Sequence, residues 1–160
     1  MGTTELEIGA RLLLAALIGF LIGLEREAAG QAAGERTHAL VALGSATFAL
    51  LSLNAFPGAD PSRVAAGVVS GLGFLGAGMI LRDANDHIRG LTTAAGLWSV
   101  GAVGLAIGSG MYVIGIVSGL IAAVILASER FLRIGERLSS RRASVAEVRE
   151  RDSSRADKKN

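Results

Sequence analysis

Three glycines, Gly71, Gly73 and Gly76, fall at the G-x-G-x-x-G spacing that lets a backbone approach a dinucleotide pyrophosphate at the start of a helix. A second chemistry is offered by carboxylates. Glu25, Asp83 and Asp86 lie in polar stretches, and oxygen ligands of that kind suit a hard cation such as Mg²⁺, which makes these three the candidates for a metal site. Acid–base or nucleophilic catalysis would have to use His38 or His87, the only histidines, and both fall at expected helix ends or loops where a solvated imidazole is the ordinary outcome. No nucleophile elbow, H-E-x-x-H pair or P-loop is present. Cysteine is absent, which excludes disulfides and thiolate metal sites. The residues imply neither an enzyme nor a bound cofactor.

Which of these chemistries is available depends on the elements that carry the residues, and composition restricts those elements. The chain is 51% hydrophobic and 19% charged, with a mean hydropathy of +0.49, more apolar than a small soluble domain. Charge is also segregated. No Asp, Glu, Lys or Arg occurs in Ala39 to Ala59, Val64 to Leu81 or Gly90 to Ser128, and such runs are long enough to cross roughly 30 Å of hydrocarbon as helix. The expected fold class is all-α, a polytopic membrane bundle of about five transmembrane helices with glycine-rich packing and a short charged tail.

The first span is expected over about Leu6 to Leu24, with Arg11 near one end so that its guanidinium snorkels to the headgroups. A cleaved signal peptide is disfavoured because the residues before the apolar core are acidic. After a polar loop from Arg26 to His38, a second span runs from about Thr37 to Asn54 or Phe56. The turn Pro57 to Pro61 follows, with Asp60 or Ser62 placed to cap a third helix, Arg63 to Leu81. The charged loop Arg82 to Gly90 leads into an uncharged run of 39 residues, which as one helix would reach about 58 Å and must therefore turn back. Gly108-Ser109-Gly110 is the expected reversal, giving spans of about Leu91 to Ile107 and Met111 to Ala127, with Tyr112 at interface depth. The membrane domain is taken as residues 1–132, and 133–160 as a charged, disordered cytoplasmic tail.

Basic residues orient the spans. With the tail in the cytoplasm, that side holds Arg26, Arg36, Arg82, Arg89 and ten basic residues from Arg130 to Lys159, against Arg11 and Arg63 outside, a tally of 14 to 2. The expectation is a plasma-membrane protein with its N-terminus outside and its C-terminus cytoplasmic. The polybasic tail reads as an orientation signal and a binder of anionic lipid, and nucleic acid is not an expected partner.

A dinucleotide fingerprint should follow a strand and be answered by an acidic residue about 20 positions on. Here the preceding residues Val64 to Val69 continue one apolar run, position 91 is Leu91, and strand and helix patterns never alternate. On a helix the same stretch places Ala66, Ser70, Gly73 and Ala77 along one stripe and Gly67, Gly71 and Gly78 along its neighbour. Small residues of this kind let membrane helices approach closely. The third span is accordingly expected to be the most buried helix. Apart from Arg11, and from Glu7 and Arg63 at span ends, charge is absent from the spans, where an ion pathway would usually place it.

Four ordered blocks then carry a resemblance. Leu21 to Glu27 with Gly23, Glu25 and Arg26; Gly34 to Gly44 with Arg36, Thr37 and His38; Val69 to Gly78 with Gly71, Gly73, Gly76 and Gly78; and Arg89-Gly90-Leu91-Thr92-Thr93-Ala94-Ala95 with Trp98 resemble the successive signatures of the MgtC/SapB family of bacterial membrane proteins. The resemblance implies a multi-pass inner-membrane protein with a short periplasmic N-terminus. It also implies a link to growth under magnesium limitation and, in pathogens, to virulence and survival inside macrophages. The implied action is regulatory, by contact with the membrane sector of ATP synthase or by self-association, although an old family label reads "Mg²⁺ transport"; a divalent-cation transporter or channel component is the alternative. The chain resembles the members that have the membrane domain only, without the folded C-terminal cytoplasmic domain of the virulence member. The motif residues are carried over as structural or partner-binding positions, none as catalytic.

Overall fold

The computed structural model describes residues 4–56, 58, 60–84 and 86–128. Two compact units partition the chain, Met1–Leu126 and Ala127–Asn160, and the helix bundle is the first of them. The expected tail, 133–160, lies outside the described residues. Among those that are described, five helices follow one another: α1 (Glu5–Ala28), α2 (Glu35–Asn54), α3 (Ser62–Met79), α4 (Leu91–Gly108) and α5 (Tyr112–Ser128). The first four are long and apolar enough to cross a membrane and α5 is slightly shorter, so the expected all-α membrane bundle is what the chain forms.

Local chemistry sets each boundary. The Thr4 hydroxyl accepts from the Glu7 amide at 3.3 Å, and Glu5 and Glu7 complement the positive end of the α1 dipole. Gly30, at φ +72°, ends that helix, with its amide donating to Glu27 O and the Gln31 amide to Arg26 O. The Asp60 carboxylate accepts from the Ser62 hydroxyl at 2.7 Å and the Ser62 amide at 2.9 Å, which caps the start of α3 and holds this carboxyl below its ordinary range. The reversal at Gly108-Ser109-Gly110 forms as expected, with Gly110 at φ +79° and the Met111 amide donating to Ala106 O. The loop from Arg82 to Gly90 is more ordered than its composition suggested. It is an antiparallel hairpin of β1 (Leu81–Arg82) and β2 (Ile88–Arg89), pairing Leu81 with Arg89 and Arg82 with Ile88.

The core is aliphatic and lies where α1, α2, α4 and α5 meet, built from Ala15, Ile22, Ala42, Ala46, Val100, Val103, Ile107 and Leu126. Large apolar side chains such as Leu13, Phe74 and Val124 point outward, the arrangement suited to a hydrocarbon solvent. Helix contact therefore relies on small residues. A β-carbon on Gly19 would stand 2.5 Å from His38 O, and one on Gly108 would stand 2.5 Å from Ala46 O and 2.7 Å from Ala46 Cα, so α1 and α4 both lie backbone-to-backbone against α2.

Two expectations are overturned. The third span is the least buried, with only Leu72 and Gly76 inside, whereas α4 buries nine residues. Leu72 seats on Gly101 and Gly76 on Ala94, so α3 leans mainly on α4 along one line and nears α2 chiefly at the loop end. Among the described residues nothing within 4 Å would meet a β-carbon at Gly67, Gly71, Gly73 or Gly78, so within that part of the chain Gly71, Gly73 and Gly78 are not packing positions. The four-helix core closes without them. Arg11, expected to snorkel, is instead 8% exposed. Its Nε donates to the Tyr112 hydroxyl at 3.0 Å and its Nη1 to Gly108 O at 2.9 Å, while Nη2 pairs with Glu7. Facing inward gives the guanidinium three acceptors at once, and it ties α1 to the α4–α5 turn.

Two substitutions test this packing. Gly108→Ala must push α4 off α2, and overpacking of this kind costs about 1–3 kcal/mol, so purified protein should melt earlier in detergent; Gly44→Ala, with nothing within 4 Å, should melt no earlier than wild type. Equal losses would refute the close approach. Tyr112→Phe removes one acceptor from a buried cation and should cost about 1.5–3 kcal/mol in the same melting assay. An unchanged transition would show that Arg11 does not depend on that hydroxyl.

Candidate functional site

The polar residues concentrate where the end of α1, the start of α2 and the start of α4 converge. Arg26, the last basic residue of α1, has no exposed surface. Its Nε donates to Glu25 Oε2 at 2.6 Å and its Nη2 to Glu25 Oε1 at 2.9 Å, a two-pronged grip on one carboxylate. Nη2 also donates to Leu126 O, so a cation at the end of α1 holds a carbonyl of α5. The neighbouring Gly23 is required by Gly34 and Glu35, whose backbones cross over it. The Thr93 hydroxyl, 2% exposed, donates to Gln31 Oε1 at 3.2 Å and links α4 to the α1–α2 loop.

His38 sits one turn into α2 and is fully buried. Its Nδ1 lies 2.9 Å from Gly34 O, a carbonyl that can only accept, so the proton is on Nδ1 and Nε2 is left as an acceptor. Nε2 makes no hydrogen bond among the described residues and faces the bare backbone of Gly96. Glu35, three residues earlier, likewise keeps one buried oxygen, Oε2, without a hydrogen bond there. The expectation of a solvated imidazole therefore fails at His38. It holds at His87, which lies in the exposed hairpin.

That hairpin organises the remaining charges. Asp83 accepts from the His87 amide at 3.0 Å and pairs with Arg89 at 3.3 Å, while Asp86 pairs with Arg82 at 3.1 Å. Asp86 adopts φ +65°, a left-handed turn position that Asp tolerates. Gly90 ends the hairpin at φ +88°, where any side chain would run into Met79 O, so the step from hairpin to α4 requires glycine. The three carboxylates considered for a metal, Glu25, Asp83 and Asp86, are thus each engaged by an arginine, and Glu25 sits on a different element from the other two. Among the described residues no group of three or more His, Cys, Asp or Glu could hold a metal ion.

The other motif residues divide by exposure. Arg36 and Thr37 stand exposed on the first turn of α2, at the mouth of a groove between α2 and α3 whose floor includes Gly71. Gly73 and Gly78 are bare on the outside of α3, and Thr92 and Trp98 are exposed on α4, Trp98 by 49%. The motif blocks consequently form one buried polar knot, Gly23, Glu25, Arg26, His38 and Thr93, and a set of outward positions around it. Sequence reasoning overlooked Gln31 and the Arg11–Tyr112 pair. The signal for the pair was present, since Arg11 is a charged residue inside the first expected span and Tyr112 is the one tyrosine in the chain.

A family model described as MgtC family matches residues 12–134. YhiD of Escherichia coli (strain K12), named as a candidate magnesium transporter, is 48% identical over 124 residues, covering 72% of this chain and 57% of that protein. Protein SapB of Bacillus subtilis (strain 168) is 44% identical over 114 residues, covering 66% of this chain and 49% of its own length. Protein MgtC of Salmonella typhimurium (strain LT2) is 50% identical over 101 residues, covering 63% and 43%. The chain spans about half the length of these curated relatives. No solved structure matches it. The matched residues take in α1 from Leu12 onward, the polar knot, the hairpin and every later helix, and on that match the chain belongs to the MgtC family.

Proposed function

We propose that this membrane protein is regulatory, serving adaptation to magnesium limitation or related stress by helix contact inside the bilayer and not by catalysis or ion conduction. The observation that carries this reading is the outer face of α3. Ala66, Ser70, Gly73 and Ala77 form a stripe of small, exposed residues that no part of the described chain covers, a surface on which another membrane helix could lie at close range. The family resemblance suggests the membrane sector of ATP synthase as the partner, with self-association as the other form of the same contact. In this reading the polar knot and the hairpin face the cytoplasm and the N-terminus lies outside, the orientation favoured by the basic residues.

Two further observations support contact over conduction. The space between Arg11 at one end and Arg26 at the other is filled by aliphatic core side chains, and both arginines are held by hydrogen bonds to carboxylates and backbone carbonyls. The name of the Escherichia coli relative keeps a transport reading in view, in which Asp83 and Asp86 would meet the cation first.

Gly73→Leu should fold and melt no earlier than wild type, because a side chain there meets nothing among the described residues, yet lose growth support at low magnesium and lose any co-purifying partner. Purified protein in liposomes loaded with a magnesium-sensitive dye should pass no Mg²⁺ above empty vesicles. Robust flux, abolished by Asp83→Asn with Asp86→Asn, would replace this reading with the transporter.

A further inference from the structure

The groove between α2 and α3 is shaped by how the two helices diverge. At the loop end they are drawn together, with the Ser52 hydroxyl donating to Pro61 O at 3.2 Å. Towards the other end α3 departs to rest on α4 through Leu72 and Gly76. The space left between them is about 740 Å³, within the range of about 300–1,000 Å³ typical of small-ligand sites. Leu40, Phe48 and Val64 form walls, and the floor is lowered at Gly44, Gly67 and Gly71, where nothing within 4 Å would meet a β-carbon.

Polarity and length identify the occupant. Apart from the buried Ser45, the lining is apolar except towards one mouth, where Arg36 and Thr37 stand. The Arg36 side chain is 92% exposed and its guanidinium lies 3.9 Å from Glu35, at the limit of an ion pair, so it is available to an anion. From Arg36 to Phe48 the groove follows α2 for about 18 Å, close to the roughly 15 Å depth of one leaflet and well short of the roughly 30 Å that a crossing helix would occupy. An apolar slot of one leaflet's depth with a cation at its mouth fits an acyl chain and its phosphate.

We propose that the α2–α3 groove binds one anionic glycerophospholipid of the leaflet at the Arg36 end, an acyl chain lying over Gly44, Gly67 and Gly71 and the phosphate meeting the Arg36 guanidinium and the Thr37 hydroxyl. This site is separate from the outer stripe of α3 invoked above and stands or falls independently of it. A single basic residue at a membrane surface is worth about 1 kcal/mol towards anionic lipid, which converts to about a five-fold preference.

The test is native mass spectrometry of the full chain released from nanodiscs of equimolar phosphatidylglycerol and phosphatidylcholine. Wild type should retain one phospholipid with phosphatidylglycerol favoured about five-fold, Arg36→Gln should bring that preference to about one, and Arg82→Gln, on the hairpin at the same end, should leave it unchanged. Gly67→Leu with Gly71→Leu fills the floor and should remove retention of both lipids while the melting temperature holds. Full preference in Arg36→Gln, or wild-type retention in the filled groove, overturns the proposal. So does a wild-type dimer that the filled groove converts to monomer, since the occupant would then be a second copy of the chain.

Discussion

The contact on which this bundle depends is the approach of two helices to the carbonyl oxygens of a third. In lipid, apolar side chains gain nothing by leaving their surroundings for one another, so association rests on close packing and on satisfying polar groups. Gly19 on α1 faces His38 O, Gly104 on α4 faces Ala42 O, and Gly108 on α4 faces Ala46 O. These carbonyls are spaced four residues apart along one stripe of α2, so a single line of acceptors receives both neighbours. Glycine hydrogens directed at carbonyls are the arrangement of Cα–H···O contacts, worth roughly 0.5–1 kcal/mol each. Any side chain at these positions would remove the contact and push the helices apart together.

With the middle of the bundle closed in this way, polar groups are left to its ends, and each end has an arginine turned inward. Arg11 ties α1 to the α4–α5 turn through Gly108 O and Tyr112, and Arg26 ties α1 to α5 through Leu126 O. A guanidinium suits this task because its five donors reach several acceptors in one plane, and in hydrocarbon each unmet carbonyl would cost several kcal/mol. The same demand leaves His38 conspicuous. Its Nδ1 proton is used by Gly34 O, and its Nε2 is directed at a backbone too bare to answer it, inside a cluster that also contains Arg26 and Glu35.

Uncharged runs, capping residues and glycine reversals placed every span within a few residues, because those signals act over one or two turns of chain. Gly108-Ser109-Gly110 is the clearest case. The failures are of one kind. Ala66, Ser70, Gly73 and Ala77 define a face, but periodicity does not say which neighbour covers it, and none among the described residues does. Arg11 reads as a snorkelling residue until Tyr112, some hundred residues away, is brought to it. His38 reads as solvated until α1 and α4 close over it. The short hairpin was missed because two-residue strands carry no alternation to detect. For the candidate site, the motif blocks contain residues of the polar knot, but nothing in their sequence reveals that Arg26 and His38 are buried while Arg36 and Thr37, between them in sequence, face out.

The exposed glycines of α3 then require a different explanation from the buried ones of α1 and α4. Each glycine inside a helix is worth up to about 1 kcal/mol less than alanine, and α3 carries Gly67, Gly71, Gly73 and Gly78 without any contact that a β-carbon would disturb. At Gly19, Gly104 and Gly108 close backbone approach offsets that loss. On α3 the offset cannot come from within the described chain, because the four-helix core is complete without it and α3 meets α4 along a single line of Leu72 and Gly76. In the readings proposed above it comes from what the membrane brings to the helix. The two glycine-bearing faces point to different places: Gly67 and Gly71 into a slot with Arg36 at its mouth, Gly73 outward beside Ser70. One helix can therefore present a lipid-sized recess on one side and a helix-sized flat on the other, while the bundle that carries it remains folded through contacts in which its glycines take little part.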